Sequence, residues 1–178
     1  MRKILAIVGV VVVVAIAAIL IYASTKPDSF RVERSTAMNA PPEKIFPYID
    51  GLERWAEWSP YEGRDPAMKR AYSGAKSGKG AVYEWDGNDD VGKGRMEIVD
   101  SRPPHRVVIK LDFLKPFEGH NMAELTVEPK GGQTIVTWAM YGPSTFMTKL
   151  VGTFMDMDDM IGRDFAAGLA KLKTVVEK

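Results

Sequence analysis

The feature that most constrains this chain is an uninterrupted apolar segment near its N-terminus. Residues 4–22 contain no charged side chain, and Arg2 and Lys3 precede them. These nineteen residues would span roughly 28 Å as an α-helix, close to the thickness of the hydrocarbon core of a bilayer. Tyr22 ends the segment, where amphipathic aromatic side chains meet the membrane interface. The pattern therefore predicts one transmembrane helix.

Two other interpretations of this segment deserve comparison. A cleaved signal peptide has an apolar core of about 7–15 residues and a small-residue cleavage site, which Ile21-Tyr22-Ala23 matches poorly. A buried core helix would carry a polar face, which residues 4–22 lack. The anchor is therefore preferred, and it divides the chain into residues 1–26, an anchor with its linker, and residues 27–178, a soluble domain.

The charges beside the segment bear on its orientation. Arg2, Lys3 and the amino terminus lie before it, whereas Lys26, Arg31 and Arg34 follow it. Basic residues nearest the membrane tend to stay in the cytoplasm, and Arg2 and Lys3 are nearer to the segment than Lys26. We therefore predict a single-pass membrane protein whose domain lies on the non-cytoplasmic side.

Charge and composition exclude several classes of function. The soluble domain carries 21 basic residues (the 24 of the whole chain less Arg2, Lys3 and Lys26) against 23 acidic ones. A nucleic-acid partner is not expected, because it would require a clustered basic face. The chain has no cysteine, which excludes thiol nucleophiles, disulfides and thiolate zinc sites. We expect neither a metal nor a cofactor.

The soluble domain has an order of elements typical of an α+β fold. A strand is predicted at residues 30–38, and short helices follow at 43–49 and 52–58. Alternation of apolar and polar residues then predicts six strands, at residues 68–73, 80–86, 93–101, 105–114, 120–129 and 133–141. Turns rich in Gly, Pro or Asp separate these strands and indicate an antiparallel meander.

Residues 144–178 have the periodicity of one long amphipathic helix. Its apolar stripe comprises Phe146, Leu150, Phe154, Met157, Ile161, Phe165, Leu169, Leu172 and Val176. Gly152, Gly162 and Gly168 each lower helix propensity by about 1 kcal/mol; they either permit a close approach to the sheet or bend the helix. A curved antiparallel sheet wrapped around this helix would bury the stripe.

Short phrases in residues 30–178 support this arrangement. They are Asn39-Ala40-Pro41-Pro42-Glu43-Lys44-Ile45-Phe46, Trp55-Ala56-Glu57-Trp58-Ser59-Pro60, Gly78-Lys79-Gly80-Ala81-Val82-Tyr83-Glu84-Trp85, Gly92-Lys93-Gly94 and Gly168-Leu169-Ala170-Lys171-Leu172-Lys173. Their order and spacing resemble the START-like (SRPBCC) superfamily of helix-grip proteins, most closely its polyketide cyclase/dehydrase-type branch. The resemblance implies a cavity between the sheet and the C-terminal helix. Members hold lipids, sterols, polyketides or other apolar molecules there, and a minority catalyse reactions.

The apolar faces of the strands and of the last helix are the candidate ligand site. Tyr83 and Trp85 share one strand face, and similar faces occur on later strands. The residues predicted to line the cavity are Tyr83, Trp85, Leu111, Phe113, Trp138, Met140, Met147, Leu150 and Phe154. Ordinary core packing is the alternative role for each of them.

No catalytic residue stands out. Neither His105 nor His120 has a triad-like or metal-like pattern around it, so a solvent-exposed or structural role is the preferred interpretation of both. His120 is the better candidate of the two, because a strand end can face the mouth of a cavity. Tyr83, Glu84 and Tyr141 are further polar groups that would suit a buried catalytic site.

Two other patterns resemble known motifs only superficially. Asp156, Asp158 and Asp159 lack the ligand spacing of a calcium loop and are interpreted as a solvated helix face. Residues 74–80 are rich in Gly and Lys, but they join two strands and lack the Ser or Thr of a phosphate-binding loop.

Trp55 and Trp58 lie three residues apart on a short helix. Packing on the sheet is the preferred role for them; a gate at the cavity entrance and contact with the bilayer are the alternatives.

The sequence thus favours a membrane-anchored protein, held through residues 4–22, that binds an apolar small molecule. A protein-interaction domain and a cyclase- or dehydratase-type enzyme are the alternatives.

Overall fold

The computed structural model describes residues 2–178. An N-terminal helix precedes one α+β domain with a short 3-10 helix at Leu52–Glu57. The α-helices are α1 (Arg2–Ser24), α2 (Pro42–Asp50), α3 (Phe146–Phe154) and α4 (Met157–Val176). The strands are β1 (Ser29–Met38), β2 (Lys69–Gly74), β3 (Ala81–Asp86), β4 (Lys93–Arg102), β5 (Arg106–Lys115), β6 (Gly119–Lys130) and β7 (Gln133–Pro143).

The seven strands form one curved antiparallel sheet in the order β1-β7-β6-β5-β4-β3-β2. The predicted meander of six strands is confirmed, and β1 pairs with β7 at the edge of the sheet. Gly131 and Gly132 join β6 to β7 with φ values of +60° and +83°. A two-residue hairpin turn of the type I′ class needs positive φ at both positions, which glycine adopts without strain.

One face of this sheet, the concave face, packs against α4. The ring of Trp138 in β7 stacks on that of Phe165 in α4 with centroids 4.1 Å apart. The register sets Met96 beside Leu111, and Leu111 beside Asn121. The apolar faces predicted for the individual strands therefore form one continuous surface across the sheet.

Helix α4 runs along β1 at close range. Lys173 Nζ donates to the carbonyl oxygen of Ala37 at 2.6 Å, and Arg34 donates to the carboxylate of Asp158 at 2.8 Å. A Cβ atom on Gly168 would lie 2.9 Å from the rings of both Trp138 and Pro60. Of the two roles expected for the helical glycines, Gly168 therefore serves close approach to the sheet.

The prediction of one helix across residues 144–178 is wrong, because the chain leaves helical geometry at Met155 (φ −129°, ψ 135°). Asp156 then caps a new helix, and its side chain accepts a hydrogen bond from the backbone N–H of Asp159 at 3.1 Å. This cap satisfies one of the free donors at a helix N-terminus. As a result α3 packs against α1, whereas α4 alone carries the stripe that faces the sheet.

The domain has two ends that matter for the site. The anchor end holds the start of β1, the end of β7, the turn between β5 and β6, and α3. Only residues 25–28 separate it from α1. The distal end holds the β2–β3, β4–β5 and β6–β7 turns.

Candidate functional site

Six of the nine predicted site residues lie on the concave face. Their strands bring Tyr83, Trp85 and Phe113 into one aromatic row: Tyr83 and Trp85 are stacked at 5.9 Å, and Trp85 meets Phe113 edge-on at 6.0 Å. Leu111 lies beside this row, and Trp138 and Met140 complete the set on β7.

The other three predicted residues lie on α3, away from this row. Met147 and Phe154 are 55% and 70% exposed, and Leu150 is half-buried. Because the helix breaks at Met155, α3 turns towards α1 instead of continuing along the concave face. The structure therefore does not bring Met147, Leu150 and Phe154 together with the strand residues.

Burial along the concave face changes from one end to the other. Toward the distal end, Ile109, Leu125 and Val136 have no exposed surface at all. Toward the anchor end, Trp85 and Leu111 each keep 9% of their surface exposed. Residues in this half with similar or greater exposure are Met96, Phe113, Asn121 and Met140 on the sheet and Met157 and Ile161 on α4. The apolar face is thus less tightly buried at the anchor end, where Phe113, Asn121 and Met157 are partly exposed.

Trp138 belongs to an aromatic cluster in the fully packed part of the core. Trp55 and Trp58 approach its ring at 5.6 and 5.2 Å, both edge-on, while Phe165 covers its face. The indole N–H groups of Trp55 and Trp58 donate to backbone oxygens of α2, and both side chains are almost fully buried. The predicted packing role of these two residues is confirmed, and the alternative of bilayer contact is wrong.

The indole nitrogen of Trp138 is the one buried side-chain polar atom, among residues 2–178, without a hydrogen-bond partner. A buried donor that stays unpaired costs about 1–3 kcal/mol. The sequence holds no signal for this donor, because the packing of three distant segments creates it.

A polar cluster meets the concave face at Tyr83. Its hydroxyl donates to Glu62 Oε1 at 2.7 Å, and Arg70 Nε donates to Glu62 Oε2 at 2.7 Å. Burial, and then the hydrogen bond to Glu62, raises the pKa of Tyr83 far above its usual value, so the phenol stays protonated. Glu62 lies in an irregular loop without periodicity and Arg70 lies on the edge strand β2, so neither position indicates this role in the sequence.

The other polar candidates lie on the opposite, convex face. His120 Nδ1 is 2.7 Å from Asp112 Oδ1, and the imidazole is largely exposed. The preferred solvent-exposed role of His120 agrees with this position, and the alternative of a cavity mouth does not, because its neighbour Asn121 takes the concave side and side chains alternate along a strand. Alternation likewise puts Glu84 and Tyr141 on the convex face.

The three aspartates at the start of α4 have structural partners. Asp156 caps the helix, Asp158 binds Arg34, and Asp159 pairs with Arg163. Residues 74–80 connect β2 to β3, so they have no helix of the kind that follows a phosphate-binding loop.

Two surface grooves lie apart from the aromatic row. One, of about 520 Å³, occupies the distal end between residues 39–42 and 129–134. The other, of about 430 Å³, lies along residues 155–164 of α4 and the break before it. None of the nine predicted residues lines either groove.

Helix α1 is long and apolar enough to cross a membrane. Residues 6–24 have a mean hydropathy of 3.0, and only 6% of this segment is buried against the rest of the protein. Such a surface is costly to expose to water.

Comparison with solved structures supports the fold. The di-domain ARO/CYC protein BexL from the BE-7585A biosynthetic pathway is 14% identical, with a TM-score of 0.63; the match covers 88% of this chain and 53% of BexL. The major latex-like protein 151 of Panax ginseng is 12% identical, with a TM-score of 0.61 and coverages of 85% and 100%. The Aha1 dimer from Colwellia psychrerythraea is 16% identical, with a TM-score of 0.57; the match covers 83% of this chain and 96% of the Aha1 chain. No curated protein matches significantly.

Family membership follows from the sequence itself. The profile described as polyketide cyclase / dehydrase and lipid transport matches residues 29–177, which is nearly the whole domain after α1. The apolar concave face, the seven-stranded sheet and helix α4 agree with the helix-grip fold that the resemblance implies. The chain therefore belongs to the polyketide cyclase/dehydrase and lipid transport family.

Proposed function

We propose that this chain is a membrane-anchored protein that binds an apolar small molecule on the concave face, at its anchor end. The family match supports a ligand-binding or cyclase function for the domain. In this proposal residues 1–26 form the anchor and linker, and residues 27–178 form the binding domain.

The observation that carries this proposal is the change in burial along the concave face. Ligand sites are mostly apolar surfaces with a few placed polar groups, and solvent must reach them before a ligand does. The half with Trp85 and Leu111 meets both conditions, because it is aromatic, has the Tyr83 hydroxyl at its edge and includes the partly exposed Phe113. The distal half is fully packed and contributes stability instead.

The anchoring part of the proposal rests on α1. A helix of this length and hydropathy satisfies all its backbone hydrogen bonds inside the hydrocarbon core. Arg2 and Lys3 at its start favour an orientation with the N-terminus in the cytoplasm and the domain on the other side. A reporter fused after Lys178 tests this orientation.

A cyclase-type enzyme is the second candidate, favoured by the cluster of Tyr83, Glu62 and Arg70. The one proton of the Tyr83 hydroxyl is donated to Glu62, so the phenol oxygen is free to accept a hydrogen bond from a hydroxyl group of a substrate. Glu62 holds the hydroxyl in place and is itself held by Arg70. The binding function remains the first choice, because the alternative polar candidates lie on the convex face.

The binding proposal is tested by filling this half of the concave face with a larger side chain. The full-length protein is purified in mild detergent, incubated with a total lipid extract and analysed by native mass spectrometry for retained small molecules. Leu111→Trp projects a bulky ring from the partly exposed half of the concave face. We expect it to lower the retained fraction by about tenfold or more, equivalent to about 1.4 kcal/mol of binding free energy.

Lys110→Trp is the matched control, because it introduces the same side chain in the same strand at an exposed position on the convex face. It should keep the retained fraction within about twofold of the unmodified protein, since a surface change rarely affects a distant site. Equal retention by both variants, or no retention by the unmodified protein, would contradict the binding proposal. Thermal unfolding of each variant shows whether it is folded.

A further inference from the structure

Exposed apolar side chains outside α1 gather at the anchor end. Within residues 27–178, eight large hydrophobic side chains are exposed, and of these Tyr72 lies on β2 and Met160 on α4. The other six form what we call the apolar rim: Leu114, Phe117, Phe146, Met147, Phe154 and Met155. Phe117 and Phe154 are 71% and 70% exposed. Exposed apolar side chains gathered at one end of a soluble domain mark an interaction site.

Helix α3, which carries much of the rim, is attached to the end of α1. The two helices pack against each other, and Ala23 near the end of α1 is fully buried. Lys26 Nζ donates to the carbonyl oxygen of Gly152 at 2.5 Å, and Lys149 pairs with Asp28. These contacts hold α3 beside the last turn of the anchor.

This attachment fixes the level of the rim relative to a bilayer that contains α1. Tyr22 stands at the end of the apolar segment, where an aromatic side chain marks the interface. Ala23 follows directly, so the helix attached there lies at the level of the lipid headgroups. The four linker residues 25–28 allow β1 to start at most roughly 17 Å from the end of α1.

We propose that the apolar rim inserts into the interfacial layer of the bilayer that holds α1, so that the less tightly buried half of the concave face meets lipid directly. The inference rests on the anchoring proposed above. The argument for lipid as the occupant is continuity: the rim and the exposed surface of α1 adjoin at the α1–α3 contact. Short amphipathic helices with aromatic side chains lie in this layer with their apolar side in the acyl region.

The source of the ligand follows from this geometry. Trp85 and Leu111, each 9% exposed, and the partly exposed Phe113 lie at the same end of the sheet as the rim. An apolar molecule that leaves the bilayer there reaches the concave face with little passage through water, which removes most of the cost of its transfer. The ligand class is therefore a lipid or lipid-like molecule resident in the membrane.

The absence of cysteine from the chain makes a direct test possible. Phe117→Cys and Phe154→Cys each place one nitrobenzoxadiazole label in the rim, and Ser77→Cys places the same label in the β2–β3 turn at the distal end. The full-length variants are reconstituted into phosphatidylcholine nanodiscs, with and without lipids that carry a doxyl quencher near the headgroup. We expect doxyl lipids to quench the two rim labels by at least about twofold and to leave the label at residue 77 unchanged.

The experiment tests insertion of the rim and anchoring by α1 independently of each other. Co-elution of protein and nanodiscs reports on α1 alone, whereas quenching reports on the rim. A protein that co-elutes with lipid but shows equal, weak quenching at residues 117, 154 and 77 refutes insertion of the rim and leaves the anchor intact. A protein that separates from the nanodiscs refutes both. Since both phenylalanines are exposed, their replacement should not impair folding.

Discussion

Two glycines in α4 allow a direct test of how closely this helix packs against the sheet. Gly162 and Gly168 lie in the same helix, both are buried, and replacement of either by alanine should gain about 1 kcal/mol of helix propensity. Their surroundings differ, because rigid rings face Gly168 whereas the end of one flexible side chain faces Gly162. The same substitution should therefore give opposite results at the two positions.

At Gly168 the added methyl group meets groups that have no room to move. It would lie 2.9 Å from the rings of Trp138 and Pro60, whereas carbon atoms prefer separations of about 3.5–4.0 Å. Trp138 is held by its stack on Phe165 at 4.1 Å. Overpacking of this kind costs about 1–3 kcal/mol, which outweighs the gain in propensity. We expect Gly168→Ala to lower the free energy of unfolding by about 1 kcal/mol.

At Gly162 the methyl group would meet the guanidinium of Arg34. This side chain is one-third exposed and is able to swing into solvent, giving up an exposed ion pair with Asp158. Such pairs contribute little to stability, so most of the propensity gain remains. We expect Gly162→Ala to leave stability unchanged or to raise it by up to about 1 kcal/mol.

Thermal unfolding of the full-length protein in detergent, followed by tryptophan fluorescence, measures the difference. Three of the four tryptophans, Trp55, Trp58 and Trp138, lie in the cluster next to Gly168. For a domain of this size about 1 kcal/mol shifts Tm by roughly 2–4 °C, so the two variants should differ by roughly 2–8 °C. Equal shifts, or a Gly168→Ala variant more stable than the unmodified protein, would show that α4 does not pack on the sheet as described.

Two further predictions concern polar groups. Tyr83→Phe removes the hydroxyl bound to Glu62 but keeps the stacked ring, so lipid retention should stay within about twofold because apolar contact is the main binding term; a much larger loss would show that the hydroxyl itself binds the ligand. Burial alone would raise the pKa of Asp112, but hydrogen bonds from His120 and Lys110 prevail and lower it. A lowered pKa stabilises the fold above the ordinary value of 3.8 and loses this effect as pH falls through the folded-state pKa. His120→Ala should therefore be less stable than His105→Ala above about pH 4, and the difference should vanish in stronger acid; a difference independent of pH would refute this linkage.

Much of the sheet is predictable because its local signals agree. Strand β6 was predicted at residues 120–129 and spans Gly119–Lys130, since alternation defines its body and the Gly131-Gly132 turn defines its end. The place of β1 beside β7 was not predicted from alternation, because a pairing across about a hundred residues leaves no local signal.

The errors arise where tertiary structure overrides a local pattern. The apolar stripe runs on from Phe154 to Met157 without a gap in spacing, so periodicity conceals the break that the Asp156 cap stabilises. The side of the sheet on which His120 lies depends on the pairing of Leu111 with Asn121. This pairing places Asn121 on the concave face, so His120 points the other way. Glu62 lies in an irregular loop, and only the folded chain shows that it meets Tyr83.

The length of the strands also sets how far the domain stands from a membrane. Strand β6 has 12 residues and runs from the anchor end to the distal end, a span of roughly 40 Å at about 3.3 Å per residue. In the anchored arrangement proposed above, with the strands upright on the bilayer, the groove beside Gly131 and Gly132 would stand at a comparable height above the headgroups. Soluble molecules would reach that groove, whereas small molecules confined to the bilayer would meet only the opposite end of the domain.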